Sequence, residues 1–199
     1  MVTAIDKNTA LVLIDLQKGI LKGETAHPIK DILANVAALV TAFRSENLPV
    51  AVVHVNPIGA PWTKARVAKP SAPQNPIVQG LTKAVMPITG FEDIVPEVKT
   101  QRDDIFITKK TWNAFFNTKL HEELQKRNVT GIILSGVSTS IGVEGTARAA
   151  SELGYNITFA TDAMTDKVLD AHYNSLQYIF PRIGELGSVE EIIGKLAGR

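Results

Sequence analysis

The chain has 199 residues, of which 45% are hydrophobic and 21% charged, as in an ordinary globular protein. Its 21 basic and 20 acidic residues give a net charge of +1, which argues against a dedicated binder of nucleic acid or of anionic membranes. The chain contains no cysteine, so disulfides, thiolate metal sites and cysteine nucleophiles are excluded. Without a signal-peptide pattern or an apolar run near the ~18 residues of a membrane span, we expect a single cytoplasmic domain over residues 1–199.

Apolar, β-rich runs alternate with stretches of helical periodicity along the chain. The first run, Ala10–Ile14, predicts a strand that ends at Asp15. Pro28 then opens a stretch whose apolar residues recur at helical spacing as far as Phe43, which predicts a helix. Val50–Val55 predicts the second strand.

The 56–98 segment interrupts this alternation. It holds seven of the ten prolines and few periodic elements. A loop of this length inside a compact domain is usually functional or disordered. Two interpretations are open at this point: a surface excursion with a short helix near Val78–Met86, or a substrate lid.

The alternation resumes after this segment. The predicted strands are Ile105–Thr108, Gly131–Leu134, Ile157–Ala160 and Ile183–Leu186. The predicted helices are Thr118–Arg127, Thr139–Leu153 with Gly154 as its C-cap, one near Val168–Tyr178, and one opened by the capping box Ser188–Glu191. Continuous apolar strands between helices are typical of a parallel sheet covered on both faces, so we expect a three-layer α/β/α domain with about six strands.

The chemistry of such a fold is expected at the carboxyl ends of its strands. The residues that the predicted strands deliver there are Asp15, Gln17, His54, Asn56, Lys109, Lys110, Trp112, Phe115, Gly136–Ser140, Thr161 and Asp162. Asp15 could instead cap a turn, and Lys109 could be a solvated charge. Lys110 alternates to the opposite side of its strand, where we expect it to be solvated. No second histidine stands at metal-ligand spacing from His54, so we predict no metal site and no other cofactor.

The turn from Ser135 to Gly142 combines glycines and hydroxyl residues before an Ala-rich helix. Backbone N–H groups at such a helix start favour an oxyanion or carboxylate, although small residues are also needed where a helix packs on a strand. The spacings of the dinucleotide and phosphate-binding loops are absent. A nucleophilic Ser138 or Ser140 would need His54 as its base, and G-x-S-x-G is also absent.

Three segments in the same order resemble the isochorismatase-like hydrolase superfamily. Its first strand, its lysine segment and its nucleophile turn are similar to Ala10–Gln17, Thr108–Thr118 and Gly136–Arg148. The resemblance extends from about Thr9 to Leu196, and Phe180–Ile183 with Ser188–Ile192 resembles the tail of one bacterial subgroup.

The resemblance implies a Rossmann-like sheet in the order 3-2-1-4-5-6, a homo-oligomer, and a catalytic triad of Asp, Lys and Cys. Asp15 matches the family aspartate and Lys109 the family lysine, while Gly142 stands where the family has its cysteine. The family commonly has a cis peptide in this turn, which here would join Val137 and Ser138. Together with the residues at the strand ends, this makes Gln17, Trp112, Phe115, Val137 and Ser138 the expected substrate contacts.

The glycine at position 142 decides which chemistry the resemblance implies. Gly142 supplies no nucleophile, so attack on an amide through a thioester is closed. The isochorismatases of the superfamily similarly lack the cysteine, and they cleave a vinyl ether. This resemblance implies that Asp15 is a general acid oriented by Lys109, which requires burial of Asp15 to outweigh the lysine or substrate carboxylates to offset it. The candidate cations for substrate carboxylates are Lys64, Arg66 and Lys69.

Two functions remain open from the sequence. The first is a Cys-independent hydrolase of a small carboxylate substrate, of the isochorismate type. The second is a non-catalytic member of the fold that binds a small carboxylate or acts as an interaction protein. Retention of both Asp15 and Lys109 favours the hydrolase.

Overall fold

The computed structural model of the chain describes residues 1–58 and 89–198. A parallel sheet forms its centre, with strands β1 (Thr9–Ile14), β2 (Val50–Val55), β3 (Ile105–Lys109), β4 (Gly131–Val137), β5 (Asn156–Thr165) and β6 (Glu185–Gly187). The strands lie in the order β3-β2-β1-β4-β5-β6, which confirms the predicted topology. β1 and β4 lie side by side where the chain reverses its winding direction, and ligands of open α/β sheets bind at this switch point.

Helices cover both faces of the sheet. They are α1 (Ile29–Ser45), α2 (Leu120–Gln125), α3 (Glu144–Glu152), α4 (Leu169–Asn174) and α5 (Val189–Leu196). Short 3-10 turns span Pro96–Val98 and Phe180–Arg182, and π turns span Thr139–Val143 and Ser175–Ile179. None of the described helices is long and apolar enough to cross a lipid bilayer.

The strands at the centre of the sheet are buried along their whole length, because each face packs against a separate core. Alternate residues of β1 point to opposite sides: Val12 packs with residues of α2 and α3, whereas Leu11 and Leu13 pack with residues of α1 and α5. This two-sided burial explains why the strands appear as continuous apolar runs in the sequence.

The ends of several helices follow the sequence signals. α1 begins after Pro28, and Gly154 follows α3 with a positive φ of 83°. Ser188 and Glu191 form a reciprocal capping box at the start of α5: each side chain accepts a hydrogen bond from the other residue's backbone N–H. The predicted helix at 139–153 divides into a π turn followed by α3. The short helix expected near Val78–Met86 lies outside the described residues.

β5 extends beyond its predicted end at Ala160, because its pairing with β4 shifts in register and then continues. Leu134 pairs with Phe159, and two residues later on β4 Gly136 pairs with Met164. Thr161 and Asp162 therefore lie inside the strand, and the prediction that they reach its carboxyl end is wrong. Their polar groups are satisfied locally: the Thr161 hydroxyl donates to the Gly187 carbonyl, and Asp162 accepts a hydrogen bond from the Val189 N–H.

A close approach between β1 and β4 depends on Gly136. Its φ is +126°, in the region that favours glycine, and a Cβ atom added there would lie 2.1 Å from the Ile14 carbonyl oxygen. The residue after Ile14 is Asp15, and the turn that carries Gly142 follows β4. The absence of a side chain at Gly136 thus allows these two segments to lie next to each other.

Candidate active site

A buried ion pair between Asp15 and Lys109 lies at the carboxyl edge of the sheet. Asp15 follows β1 and Lys109 ends β3, so the lysine side chain reaches across the intervening β2. The distance between Lys109 Nζ and Asp15 Oδ2 is 2.8 Å, and the exposed fractions of the two side chains are 1% and 9%. The structure therefore brings together Asp15 and Lys109, two of the charged residues that the strand-end rule selected.

The backbone around Asp15 is fixed by hydrogen bonds. Its N–H donates to the Val53 carbonyl at 2.9 Å, and its own carbonyl accepts from the Gln17 N–H at 2.8 Å. Asp15 has a φ of 52°, a left-handed conformation that is uncommon outside glycine and that Asp adopts more readily than most residues. This turn directs the carboxyl group toward Lys109.

The environment of Asp15 favours its protonated form. Burial raises the pKa of Asp15 from its ordinary value of 3.8 to about 6, although the Lys109 ammonium acts in the opposite direction. Asp15 Oδ1 is buried and has no hydrogen-bond partner among residues 1–58 and 89–198. A carboxyl with one unpartnered oxygen and a pKa near neutrality is suited to proton transfer.

The Lys109 ammonium is held from two sides. Besides its contact with Asp15, Nζ donates to the Trp112 carbonyl at 2.7 Å. An ammonium has three N–H donors. Within the described part of the chain these two contacts are its hydrogen bonds, so the third donor has no partner there. The Trp112 side chain itself is exposed.

Gly142 lies directly against this pair. A Cβ atom added at Gly142 would lie 3.1 Å from Asp15 Oδ2, 3.1 Å from Lys109 Nζ and 2.8 Å from Ile14 Cγ2. The three positions that resemble the family triad thus meet at one point. The peptide bond between Val137 and Ser138 is cis, as the resemblance implies.

The turn that carries Gly142 is anchored by residues that the sequence did not single out. Asp166 Oδ2 accepts hydrogen bonds from the Ser140 N–H and hydroxyl, each at 2.8 Å. Thr139 Oγ1 lies 2.8 Å from His172 Nδ1. Asp166 directly follows β5, so the strand-end rule would have selected it if the full length of the strand had been foreseen.

Two of the expected substrate contacts have their side chains engaged within the fold. The Gln17 amide donates to the carbonyls of Val55 and Phe91 and accepts from the Val55 N–H, which ties the ends of β1 and β2 together. The Phe115 ring stacks on Tyr155, with ring centroids 5.8 Å apart. Both contacts are internal to the packed chain.

Of the remaining three expected contacts, Val137 and Ser138 are buried where β4 leads into the turn, and the Trp112 side chain is exposed. The Ser138 carbonyl accepts hydrogen bonds from the N–H groups of Ile141 and Val143. Ser138 lies beside the turn because it directly precedes Thr139, the first residue of the turn.

The polar residues after β2 form a separate group. His54 Nε2 lies 2.9 Å from Thr108 Oγ1, and Asn56 Nδ2 donates to Glu92 Oε1. Lys110 is exposed, as predicted, and donates to the Ile58 carbonyl. Since the His54 ring contacts Thr108 and Glu92, it is not hydrogen-bonded to either candidate serine within the described chain.

No group of His, Asp and Glu side chains that could hold a metal ion occurs in the part of the chain that the structure describes. Lys64, Arg66 and Lys69, the candidate cations for substrate carboxylates, lie outside that part. Among the described residues, the chemistry of the site therefore comes from a carboxyl group, an ammonium group and a backbone turn.

A family model, sequence relatives and a solved structure all match the chain to the same family. A model described as the isochorismatase domain matches residues 9–191. The uncharacterized isochorismatase family protein YwoC of Bacillus subtilis is 38% identical over 188 residues, which cover 94% of this chain and 93% of that one. The uncharacterized isochorismatase family protein YecD of Escherichia coli O157:H7 is 36% identical over 202 residues, which cover 96% and 97%.

A solved structure of an isochorismatase family protein from Burkholderia thailandensis has a TM-score of 0.83, is 32% identical and covers 98% of both chains. More distant relatives carry names of hydrolases of small molecules. Nicotinamidase 3 of Arabidopsis thaliana is 30% identical and covers 79% of this chain and 73% of its own length. Ureidoacrylate amidohydrolase RutB of Pseudomonas savastanoi pv. phaseolicola is 26% identical, with 78% and 69% covered. Because the family model and the relatives match nearly the whole chain, the protein belongs to the isochorismatase family, a family that includes hydrolases of small molecules.

Proposed function

We propose that the protein is a Cys-independent hydrolase that cleaves the vinyl ether of a small carboxylate substrate, of the isochorismate type, with Asp15 as general acid. The observation that carries this proposal is the state of Asp15. Its carboxyl group is buried, its pKa is raised to about 6, and its Oδ1 has no partner among the described residues. This combination supports proton donation near neutral pH.

The absence of a nucleophile argues for this reaction over amide hydrolysis. Amide hydrolysis by nucleophilic catalysis needs a thiol or an activated hydroxyl next to the base. The chain has no cysteine, and Gly142 presents only backbone to the Asp15–Lys109 pair. The Ser140 hydroxyl donates to Asp166, so it is oriented toward a carboxylate that anchors the turn. A vinyl ether needs only an acid and water.

The proposed reaction proceeds in three steps. The Asp15 proton is transferred to the terminal methylene carbon of the enolpyruvyl group, whose π electrons form the new C–H bond. Water then adds to the resulting oxocarbenium carbon and returns one proton to the Asp15 carboxylate. The hemiketal finally collapses by breaking its bond to the ether oxygen, which takes up the remaining proton. Pyruvate and an alcohol are released, and Asp15 is protonated again.

Lys109 has two roles in this proposal. Its contact with Oδ2 fixes the carboxyl group, which leaves Oδ1 to face the substrate. Its remaining N–H is available to a substrate carboxylate. Binding of that anion would offset the ammonium charge and make the proton on Asp15 more stable in the complex, because a nearby cation lowers a carboxyl pKa.

Pyruvate release from isochorismate tests the assignment of Asp15. The Asp15→Asn variant keeps the shape of the side chain but has no acidic proton, so we expect kcat to fall by about 10²- to 10⁴-fold. Asp15→Ala should lose at least as much.

Asp104→Asn provides the matched control. Asp104 forms another mostly buried ion pair, with Arg44 at 2.9 Å, but it precedes β3 and therefore lies at the opposite end of that strand from Lys109. This variant should lose stability and keep its kcat. Activity that survives Asp15→Ala but disappears with Ser138→Ala would contradict the proposal and indicate a serine nucleophile. A wild-type protein that binds a small carboxylate and releases no pyruvate would indicate the non-catalytic alternative.

A further inference from the structure

The turn Thr139–Val143 is fixed from outside by two buried side chains. Asp166, which follows β5, accepts hydrogen bonds from both the backbone N–H and the hydroxyl of Ser140. His172, on α4, has its Nδ1 2.8 Å from the Thr139 hydroxyl. Thr139, Asp166 and His172 are all buried. Buried polar groups with complete hydrogen bonds hold a segment in one conformation.

The same turn determines what lies next to the acid. Gly142 follows Thr139 by three residues, and a Cβ added to it would stand 3.1 Å from both Asp15 Oδ2 and Lys109 Nζ. Since glycine has no side chain to pack, the position of Gly142 depends on the backbone of the turn. That backbone is held at its start by the contact between Thr139 and His172.

We propose that His172 is a positioning residue, which acts through its hydrogen bond to Thr139 to hold the turn against Asp15 and Lys109. The catalytic importance of the turn rests on the proposed function. The position of the turn relative to Asp15 and Lys109 can be measured without turnover. Asp166 supplies the second anchor, through Ser140.

The state of His172 suits this role. Burial, together with the His27 ring at 4.6 Å between centroids, lowers the pKa of His172, while Asp166 acts in the opposite direction. A neutral imidazole can accept the hydroxyl hydrogen of Thr139 at Nδ1. The Nδ1 of His27 is instead paired with the Thr165 hydroxyl, so His27 does not contact the turn by this atom.

A thiol placed at position 142 reports where the turn lies. In Gly142→Cys the added Cβ would stand 3.1 Å from both the Lys109 ammonium, which lowers a thiol pKa, and the Asp15 carboxyl, which raises it when ionised. The thiol would also lie at the start of α3, whose backbone N–H groups act with the ammonium, so we expect its pKa to fall below the ~8.5 of a free cysteine and its alkylation at neutral pH to be faster. We expect Thr139→Val in this background to raise the thiol pKa toward that free value, because valine keeps the shape of threonine without its hydroxyl. Thr139→Ser keeps the hydroxyl and should leave the thiol pKa unchanged.

His172 is tested from the other end of the same hydrogen bond. His172→Phe removes the acceptor and should raise the thiol pKa. His172→Asn keeps a polar atom near the position of Nδ1, so the thiol pKa should stay close to that of the Gly142→Cys parent. In the native Gly142 background, Thr139→Val should lower kcat by about tenfold or more while KM changes little, since small displacements of reacting groups are costly.

Three results would overturn the inference. The first is a thiol pKa that Thr139→Val and His172→Phe both leave unchanged in folded protein. The second is a thiol in the Gly142→Cys parent that is already no more reactive than a free cysteine. The third is loss of the fold in both variants, which would assign the hydrogen bond to stability. Failure of wild-type turnover would count against the proposed function alone, because the thiol titration does not depend on it.

Discussion

Asp15 is the residue at which burial and charge compete. Desolvation raises its pKa, the Lys109 ammonium at 2.8 Å lowers it, and the balance lies at about 6. Both effects are evident from the sequence, but their balance depends on burial, and burial is set by how the 3-2-1-4 order of strands encloses the side chain. Burial has the larger effect on the pKa of Asp15.

This balance predicts the pH dependence of the reaction. The general acid must carry its proton, so kcat/KM, which reports the free enzyme, should fall about tenfold per pH unit above the Asp15 pKa of about 6. The residual activity of Asp15→Asn should lack this descending limb. The measurement is the pH profile of pyruvate release. A profile that rises with pH through the same range would mean that the ionised carboxylate is the active form, which contradicts the acid role.

At the scale of the elements, the sheet was predictable and the segments that complete the site were less so. Buried central strands leave a continuous apolar signal, so β1, β2 and β4 are evident from the sequence. β5 was not predicted at full length, because its irregularity places Thr161 and Asp162 in the middle of the strand. In the sequence this polar pair therefore has the pattern of a strand end, and no apolar run leads up to Asp166, which directly follows the strand.

The close contact between β1 and β4 is the element-level feature that most directly supports the site. Gly136→Ala should destabilise the protein by about 3 kcal/mol or more, since a Cβ there meets the Ile14 carbonyl oxygen and the backbone has a positive φ. Gly154→Ala is the matched control: it also has a positive φ, but nothing lies within 4 Å of the added Cβ. It should cost only about 1–2 kcal/mol, the penalty of the left-handed conformation.

The measurement for this pair is the free energy of unfolding from denaturant titration. Both backbones have a positive φ, of 126° at Gly136 and 83° at Gly154, so both variants carry a conformational cost, and only Gly136→Ala adds the clash with the Ile14 carbonyl oxygen. Equal losses in the two variants would contradict the close approach of β1 and β4, and with it the reason why Asp15 and the Gly142 turn lie side by side.

At the scale of the whole molecule, the fold brings the first strand, the third strand and the turn after the fourth strand together at one edge. Residues separated by more than 120 positions in the sequence, Asp15 and Gly142, are thereby in contact. The family of the chain includes hydrolases of small molecules. Because the chain has no cysteine, the site argues against hydrolysis through a thioester. The homo-oligomer that the resemblance implies stays a prediction.

The fate of the water oxygen tests the proposed reaction most directly. If the chain hydrolyses the vinyl ether of isochorismate, water adds to the enolpyruvyl carbon and the original ether oxygen stays with the alcohol product. Turnover in H₂¹⁸O by the wild-type protein should therefore give an alcohol product without ¹⁸O, and Asp15→Asn should give almost no product. An alcohol product that carries ¹⁸O would show cleavage at the ring carbon, which contradicts protonation of the vinyl ether by Asp15.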